Sequence, residues 1–248
     1  MENRVLLLSE NIKVARAIIF DVYGTLFDLK SFAAECDKII QRRGSQLLEA
    51  VEQKQLEYVL TRLLVGRYAD YASITRGAIR FALRKMGNAP DEKVIDDLFS
   101  AFLHLEPFDD VEAALNDMDE LDARILLLSN GTQGMLDKLV EHAGLSLLSE
   151  EVASVEGART YKPDPRAYQH GLNHLQIHEK ERVLYVSGNT WDVAGAKAFG
   201  LRVGWVNRTG QPAFDQELLD LRPDYEFSDL RQIKKFLVAR ESDEPELP

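Results

Sequence analysis

Ala17-Ile18-Ile19-Phe20-Asp21-Val22-Tyr23-Gly24-Thr25-Leu26 begins with a short continuous apolar run and ends it on a carboxylate. Such a run, bounded by Asp21 and Gly24, suits a β-strand covered on both faces, the condition of strands in a parallel sheet. Asp21 then stands at the carboxyl end of the strand, with Gly24 in the turn that follows. An aspartate in this position either caps the turn or is displayed to a cleft, and the segment alone leaves both open.

Three further runs have the same character: Arg124-Ile125-Leu126-Leu127-Leu128, Val183-Leu184-Tyr185-Val186 and Val203-Gly204-Trp205-Val206. Helical patterns lie between them, such as Met135-Leu136-Asp137-Lys138-Leu139-Val140 and Ala194-Gly195-Ala196-Lys197-Ala198-Phe199. Strands alternating with helices are βαβ units, which predicts an α/β fold with a doubly wound parallel sheet, a Rossmann-like core. Sheets of this kind place their sites beyond the strand carboxyl ends. From about Ser31 to Leu105 the pattern changes. Leu48, Val51, Val59 and Leu63 recur at helical spacing, with Gln55 as a polar break. About four helices are expected there, inserted after the first strand as a cap that excludes water from the strand ends. Pro107-Phe108 marks the return to the core. The expected division is an α/β core of residues 13–30 and 106–240, a helical cap subdomain of 31–105, and a disordered acidic tail of 241–248.

The chain has 248 residues, 45% hydrophobic and 29% charged. That suffices for one sizeable core and a smaller subdomain in a mostly folded chain. The net charge of −11 excludes nucleic acid and anionic membrane as expected partners, because both require a basic face. A small anionic substrate stays compatible, since a few local cations set the potential inside a cleft. Cys36 is the only cysteine, so neither an intrachain disulfide nor a zinc spacing is available. In its helical stretch it reads as a buried, inert thiol. The run Val5-Leu6-Leu7-Leu8 is too short for a signal segment, and no stretch approaches the roughly 18 apolar residues of a membrane span. A cytoplasmic enzyme is expected.

Polar chemistry collects where the strands end. Asp21 and Thr25 follow the first; the second ends in Ser129-Asn130-Gly131; the third in Ser187-Gly188-Asn189-Thr190-Trp191-Asp192. Tyr161-Lys162-Pro163-Asp164 adds an ammonium. In order, Asp-x-Tyr-Gly-Thr-Leu, Leu-Ser-Asn-Gly, Tyr-Lys-Pro and Ser-x-Asn-x-Trp-Asp resemble the haloacid dehalogenase-like hydrolase superfamily, and within it the L-2-haloacid dehalogenases. The likeness runs from about Ala17 to Leu230 and includes Gln53-Lys54-Gln55-Leu56-Glu57-Tyr58 and Gly66-Arg67-Tyr68 in the cap.

The resemblance implies a metal-independent hydrolase without cofactor, acting on a small 2-haloacid carboxylate. A carboxylate attacks Cα, displaces halide with inversion, and leaves an aspartyl ester that water hydrolyses to the 2-hydroxy acid. It implies Asp21 as nucleophile, Thr25 to hold it and Lys162 to keep it ionised. Ser129 with Asn130 would bind the substrate carboxylate or the intermediate. Ser187, Asn189 and Asp192 would position or activate water. Tyr23, Tyr168, Trp191, Gln53, Leu56 and Tyr71 would form the substrate pocket. Read from the residues alone, Asp192 also fits a helix cap, Trp191 and Tyr168 fit core packing, and Lys162 fits a surface lysine. A homodimer is suggested only by analogy with the family.

Departures from the pattern carry meaning. The phosphatases of the superfamily place a second acid at the position of Tyr23 and a metal-binding acid at that of Gly188. Mg²⁺ prefers oxygen ligands, so losing both argues against a metal site and a Mg²⁺-dependent phosphatase. Against the dehalogenases one difference stands out: Glu52 occupies the position, just before Gln53, where they carry the arginine that receives the halide. Either Arg42, Arg43 or Arg62 supplies the charge, or the leaving group differs, or the protein binds a ligand without converting it. Tyr71 stands where the relatives tend to have phenylalanine.

Overall fold

The computed structural model describes residues 17–40, 42–89, 91–119, 124–145, 151–211, 214 and 220–234. The expected acidic tail and the run at Val5–Leu8 lie outside the described residues. The first strand, β1 (Ala17–Phe20), is followed by four helices: α1 (Leu29–Ile39), α2 (Gly44–Leu64), α3 (Tyr71–Lys85) and α4 (Glu92–Phe102). Then come α5 (Val111–Asp119), β2 (Arg124–Ser129), α6 (Gln133–His142), β3 (Val152–Ser154) and α7 (Pro165–Leu175). The chain continues through β4 (Val183–Ser187), α8 (Thr190–Phe199), β5 (Arg202–Val206) and β6 (Tyr225–Phe227).

The six strands among the described residues are all parallel, in the order β3-β2-β1-β4-β5-β6. The doubly wound sheet with its helical insertion after the first strand is therefore as the sequence predicts. Alternating side chains sort onto the two faces. Ile18, Phe20, Leu127 and Val186 pack on one, while Ala17, Ile19, Leu128 and Tyr185 pack on the other against α7 and α8. The chain order reverses between β1 and β4, and their carboxyl ends flank the crevice where open α/β sheets bind ligands.

Local sequence explains the helix boundaries. Asp28, Asp70, Asp91, Thr132 and Asp164 each cap a helix by accepting from a backbone amide two or three residues further on. Pro165 opens α7, where a missing N–H costs nothing, and Gly200 ends α8 with φ +96. The insertion leaves and rejoins the core side by side. Phe27 bridges Pro107, Asp28 N donates to Glu106 O at 2.9 Å, and Phe108 N donates to Leu26 O at 2.9 Å. Its apolar residues join the cluster on one face of the sheet, with Phe32, Leu47, Ala78 and Phe102 continuous with Ile18 and Phe20.

The polar break at Gln55 is a buried bond: Nε2 donates to Thr75 Oγ1 at 2.9 Å, joining α2 to α3. Cys36 is fully buried, and burial, then Asp37 and Glu35, push its thiol up to about 12. No helix among the described residues is long and apolar enough to cross a membrane.

Candidate active site

The turn after β1 is shaped by Gly24 at φ +76, a conformation that disfavours residues with a Cβ. It leaves Asp21 nearly buried, 4% exposed, with both carboxylate oxygens occupied. Oδ2 accepts from Thr25 Oγ1 at 2.7 Å, Asn189 Nδ2 at 2.8 Å and Ser187 Oγ at 3.3 Å. Oδ1 accepts from Lys162 Nζ at 2.6 Å. Thr25 Oγ1 in turn accepts from Gly188 N at 2.8 Å, which ties the β1 turn to the β4 turn.

Lys162 is itself buried. Its ammonium, with three protons to give, lies within hydrogen-bonding distance of Asp21 Oδ1, of Leu128 O at 3.0 Å, of Tyr185 Oη at 2.9 Å and of Asp192 Oδ2 at 2.9 Å. Burial opposes the charge, but the carboxylates of Asp192 and Asp21 outweigh it and hold the Lys162 pKa above its ordinary value. Asp192 shows the converse. Burial, with repulsion from Asp21, raises its pKa against the opposing pull of Lys162. Its Oδ1 accepts from Tyr168 Oη at 2.8 Å, and its Oδ2 from Tyr185 Oη at 2.7 Å. Asp192 therefore reaches Asp21 only through Lys162.

Above this network lies a cavity of about 320 Å³. Tyr23, Asn130, Asn189 and Trp191 line its core side; Gln53, Leu56 and Tyr71 line it from the insertion, with Glu49 and Glu52 beside them. Tyr23 stacks on Phe102 at 5.1 Å and faces Tyr71 at 6.4 Å, and its buried hydroxyl has no hydrogen-bond partner among the described residues. Asn130 Oδ1 accepts from Lys162 N at 2.7 Å, which fixes the amide at the cavity wall.

The structure thus brings together Asp21, Thr25, Lys162, Ser187, Asn189 and Asp192, and places Tyr23, Asn130, Trp191, Gln53, Leu56 and Tyr71 around the cavity. Ser129 and Tyr168 are not among its lining residues. Ser129 is buried and accepts from Gly131 N at 3.1 Å, while Tyr168 is buried beneath Asp192. Tyr185 is the participant sequence reasoning missed. A tyrosine inside an apolar strand signals it, because a buried phenol needs a partner. Of the candidate arginines, Arg43 binds Gln46 and the Met86 carbonyl, Arg62 binds the Arg67 carbonyl, and Arg42 is exposed. None of the three lines the cavity.

Gly188 packs its Cα against the β1 turn. A Cβ there would lie 2.5 Å from Gly24 O, a backbone atom with no rotamer to yield. Gly188→Ala is expected to cost about 1–3 kcal/mol, the usual range for overpacking, and to lower the melting temperature. An unshifted melting curve would refute this reading of the turn.

A carboxylate set between an ammonium and three donors, at the switch point of a doubly wound sheet, defines a Rossmann-like enzyme with a carboxylate-centred site. Comparison with known proteins carries the assignment further. Residues 15–200 match the model of the haloacid dehalogenase-like hydrolases, and the chain belongs to that family. It is 36% identical over 218 residues to an (S)-2-haloacid dehalogenase of Pseudomonas sp. strain YL, covering 88% of this chain and 92% of that one. It is 38% identical over 213 residues to haloacetate dehalogenase H-2 of Moraxella sp. strain B, covering 86% and 93%. The L-2-haloacid dehalogenase of Xanthobacter autotrophicus, solved with chloropropionic acid covalently bound, superposes with a TM-score of 0.82 at 34% identity, covering 90% of this chain and 98% of that one.

Proposed function

We propose that this chain is a 2-haloacid dehalogenase that converts an L-2-haloacid and water to the 2-hydroxy acid and halide through an ester at Asp21. The carrying observation is the asymmetric support of Asp21: Oδ2 accepts three hydrogen bonds, Oδ1 only that of Lys162. Oδ1 keeps the more available lone pairs and is the attacking oxygen. It forms the bond to Cα while the halide leaves with the C–X electron pair. Water then adds to the ester carbonyl, and collapse frees the 2-hydroxy acid and restores the carboxylate, with a net release of one proton. Ser187 and Asn189 position that water. Asp192 holds the Lys162 ammonium beside Asp21, at 2.9 Å, and acts on the site by positioning that cation. Asn130 and the unpartnered Tyr23 hydroxyl supply donors for the substrate carboxylate. The cavity sits at the small end of ligand pockets, which span about 300–1,000 Å³ and so suits a small acid.

Two features support a reaction without metal. The Lys162 ammonium already bridges Asp21 and Asp192, at 2.6 and 2.9 Å. The contact of Gly188 with Gly24 O leaves no room for an acidic side chain at that position. The reading also takes the enzyme to be cytoplasmic and, by analogy, homodimeric. Its test is halide release from L- and D-2-chloropropionate in EDTA and again with Mg²⁺. Chloride released from the L-form in EDTA is the expected result. Phosphate-ester hydrolysis requiring Mg²⁺, with no chloride release, would overturn it in favour of a phosphatase. Binding without either reaction would make the chain a ligand-binding relative.

A further inference from the structure

Glu52 faces the cavity from α2 and has no place in the reaction above. Glu49 lines the cavity one turn earlier on the same helix, and its Oε1 accepts from Gln53 Nε2 at 3.3 Å. Among the described residues no hydrogen-bond donor reaches Glu52, and no arginine or lysine lines the cavity. The other titratable groups facing it are Tyr71 from α3 and Tyr23 from the turn after β1, with Asp21 and its partner Lys162 beneath. Burial raises both phenols, with Asp21 adding to each, so both stay neutral hydrogen-bond donors. An anion entering this cavity with Glu49 and Glu52 both ionised meets two negative charges and no facing cation.

We propose that Glu52 is a specificity-determining residue that admits an anionic substrate only as the neutral acid, donating its carboxyl proton as a hydrogen bond to the anion. Where Glu52 is ionised in the free enzyme, each bound 2-haloacid brings one proton into the site. This rests on the haloacid reading of the same cavity.

Although Glu52 as a residue is exposed, the cavity walls desolvate its carboxyl; burial, and then repulsion from Glu49, raise its pKa to about 7. Below that pH the acid is already protonated and binding is independent of pH. Above it the free enzyme has lost the proton and must recover it to bind. Affinity then falls about tenfold per pH unit, by linkage.

The test uses D-lactate, the product expected from L-2-chloropropionate by inversion, which binds without reacting. Calorimetry on the whole protein at pH 6, 8 and 9, in two buffers of unlike ionisation enthalpy, reads affinity and proton uptake together. Expected are close to one proton taken up at pH 8 and binding about 100-fold weaker at pH 9 than at pH 6. In Glu52→Gln the uptake disappears and the affinity becomes level across the range; in Glu49→Gln the uptake persists. Level affinity in the unmodified protein, uptake surviving in Glu52→Gln, or no binding at pH 6 would each overturn the proposal. Halide release is followed in parallel. Proton-linked binding without halide release supports the role of Glu52 and rejects the dehalogenase reading; halide release with level binding does the reverse.

Discussion

Asp21→Asn is expected to abolish turnover, lowering kcat by at least about 10⁴, as removal of a covalent nucleophile typically does. The substitution keeps the shape and removes the reactive electron pair. It should leave the fold intact, because Lys162 keeps Asp192 as a partner at 2.9 Å and the buried cluster changes from two carboxylates around one ammonium to a neutral pair. Thr25 and Asn189 still find an amide oxygen at the position of Oδ2. Unfolding curves therefore separate loss of chemistry from loss of structure. A second measurement on the unmodified enzyme addresses the covalent step. Multiple turnovers in ¹⁸O-water should place label in the Asp21 side chain, because water attacks the ester carbonyl of the enzyme. Label confined to the product would mean that water attacks Cα directly.

Lys162→Met should be the most destabilising single change at the site. The side chain is 1% exposed, and its removal leaves Asp21 and Asp192 as facing buried carboxylates with no cation between them. Breaking a buried ion pair by deleting one partner typically costs about 3–5 kcal/mol. In a chain of this size that is roughly 6–20 °C in melting temperature. The pH dependence has a definite sign. Asp192 already has a pKa raised by burial, so its ionisation works against the folded state as pH rises through that value. Without Lys162 the rise is greater, and the deficit should deepen from mildly acid to neutral pH and shrink on acidification. A deficit independent of pH would place the loss in packing rather than charge. Halide release should fall as well, since Asp21 loses the ammonium that holds its Oδ1 at 2.6 Å.

The fold was legible because its signals are local. Four strands appear as apolar runs of four or more residues, and each is found within a residue or so of its reading. Val152–Ser154 and Tyr225–Phe227 were missed, since three residues at the sheet edges are too few to show a period. The site was legible in part. Asp21, Thr25, Ser187 and Asn189 lie in turns directly after β1 and β4, so strand position alone puts them at one edge. Ser129 lies just as close to a strand end, yet its hydroxyl turns back to Gly131 N while its neighbour Asn130 faces the cavity.

What the sequence by itself determined is which chemistry stands at which strand end, because a run of buried residues and the turn after it are set by near neighbours. Only the tertiary structure decided who meets whom. Lys162 reaches Asp21 across 141 positions, Asp192 is tied off by Tyr168 and Tyr185, and Glu52 faces a cavity that no arginine among the described residues lines. Those pairings follow from strand order, from register across a parallel sheet and from how the helical insertion packs back onto it. All three are non-local contacts, selected by burial of the whole core rather than by any short stretch of residues.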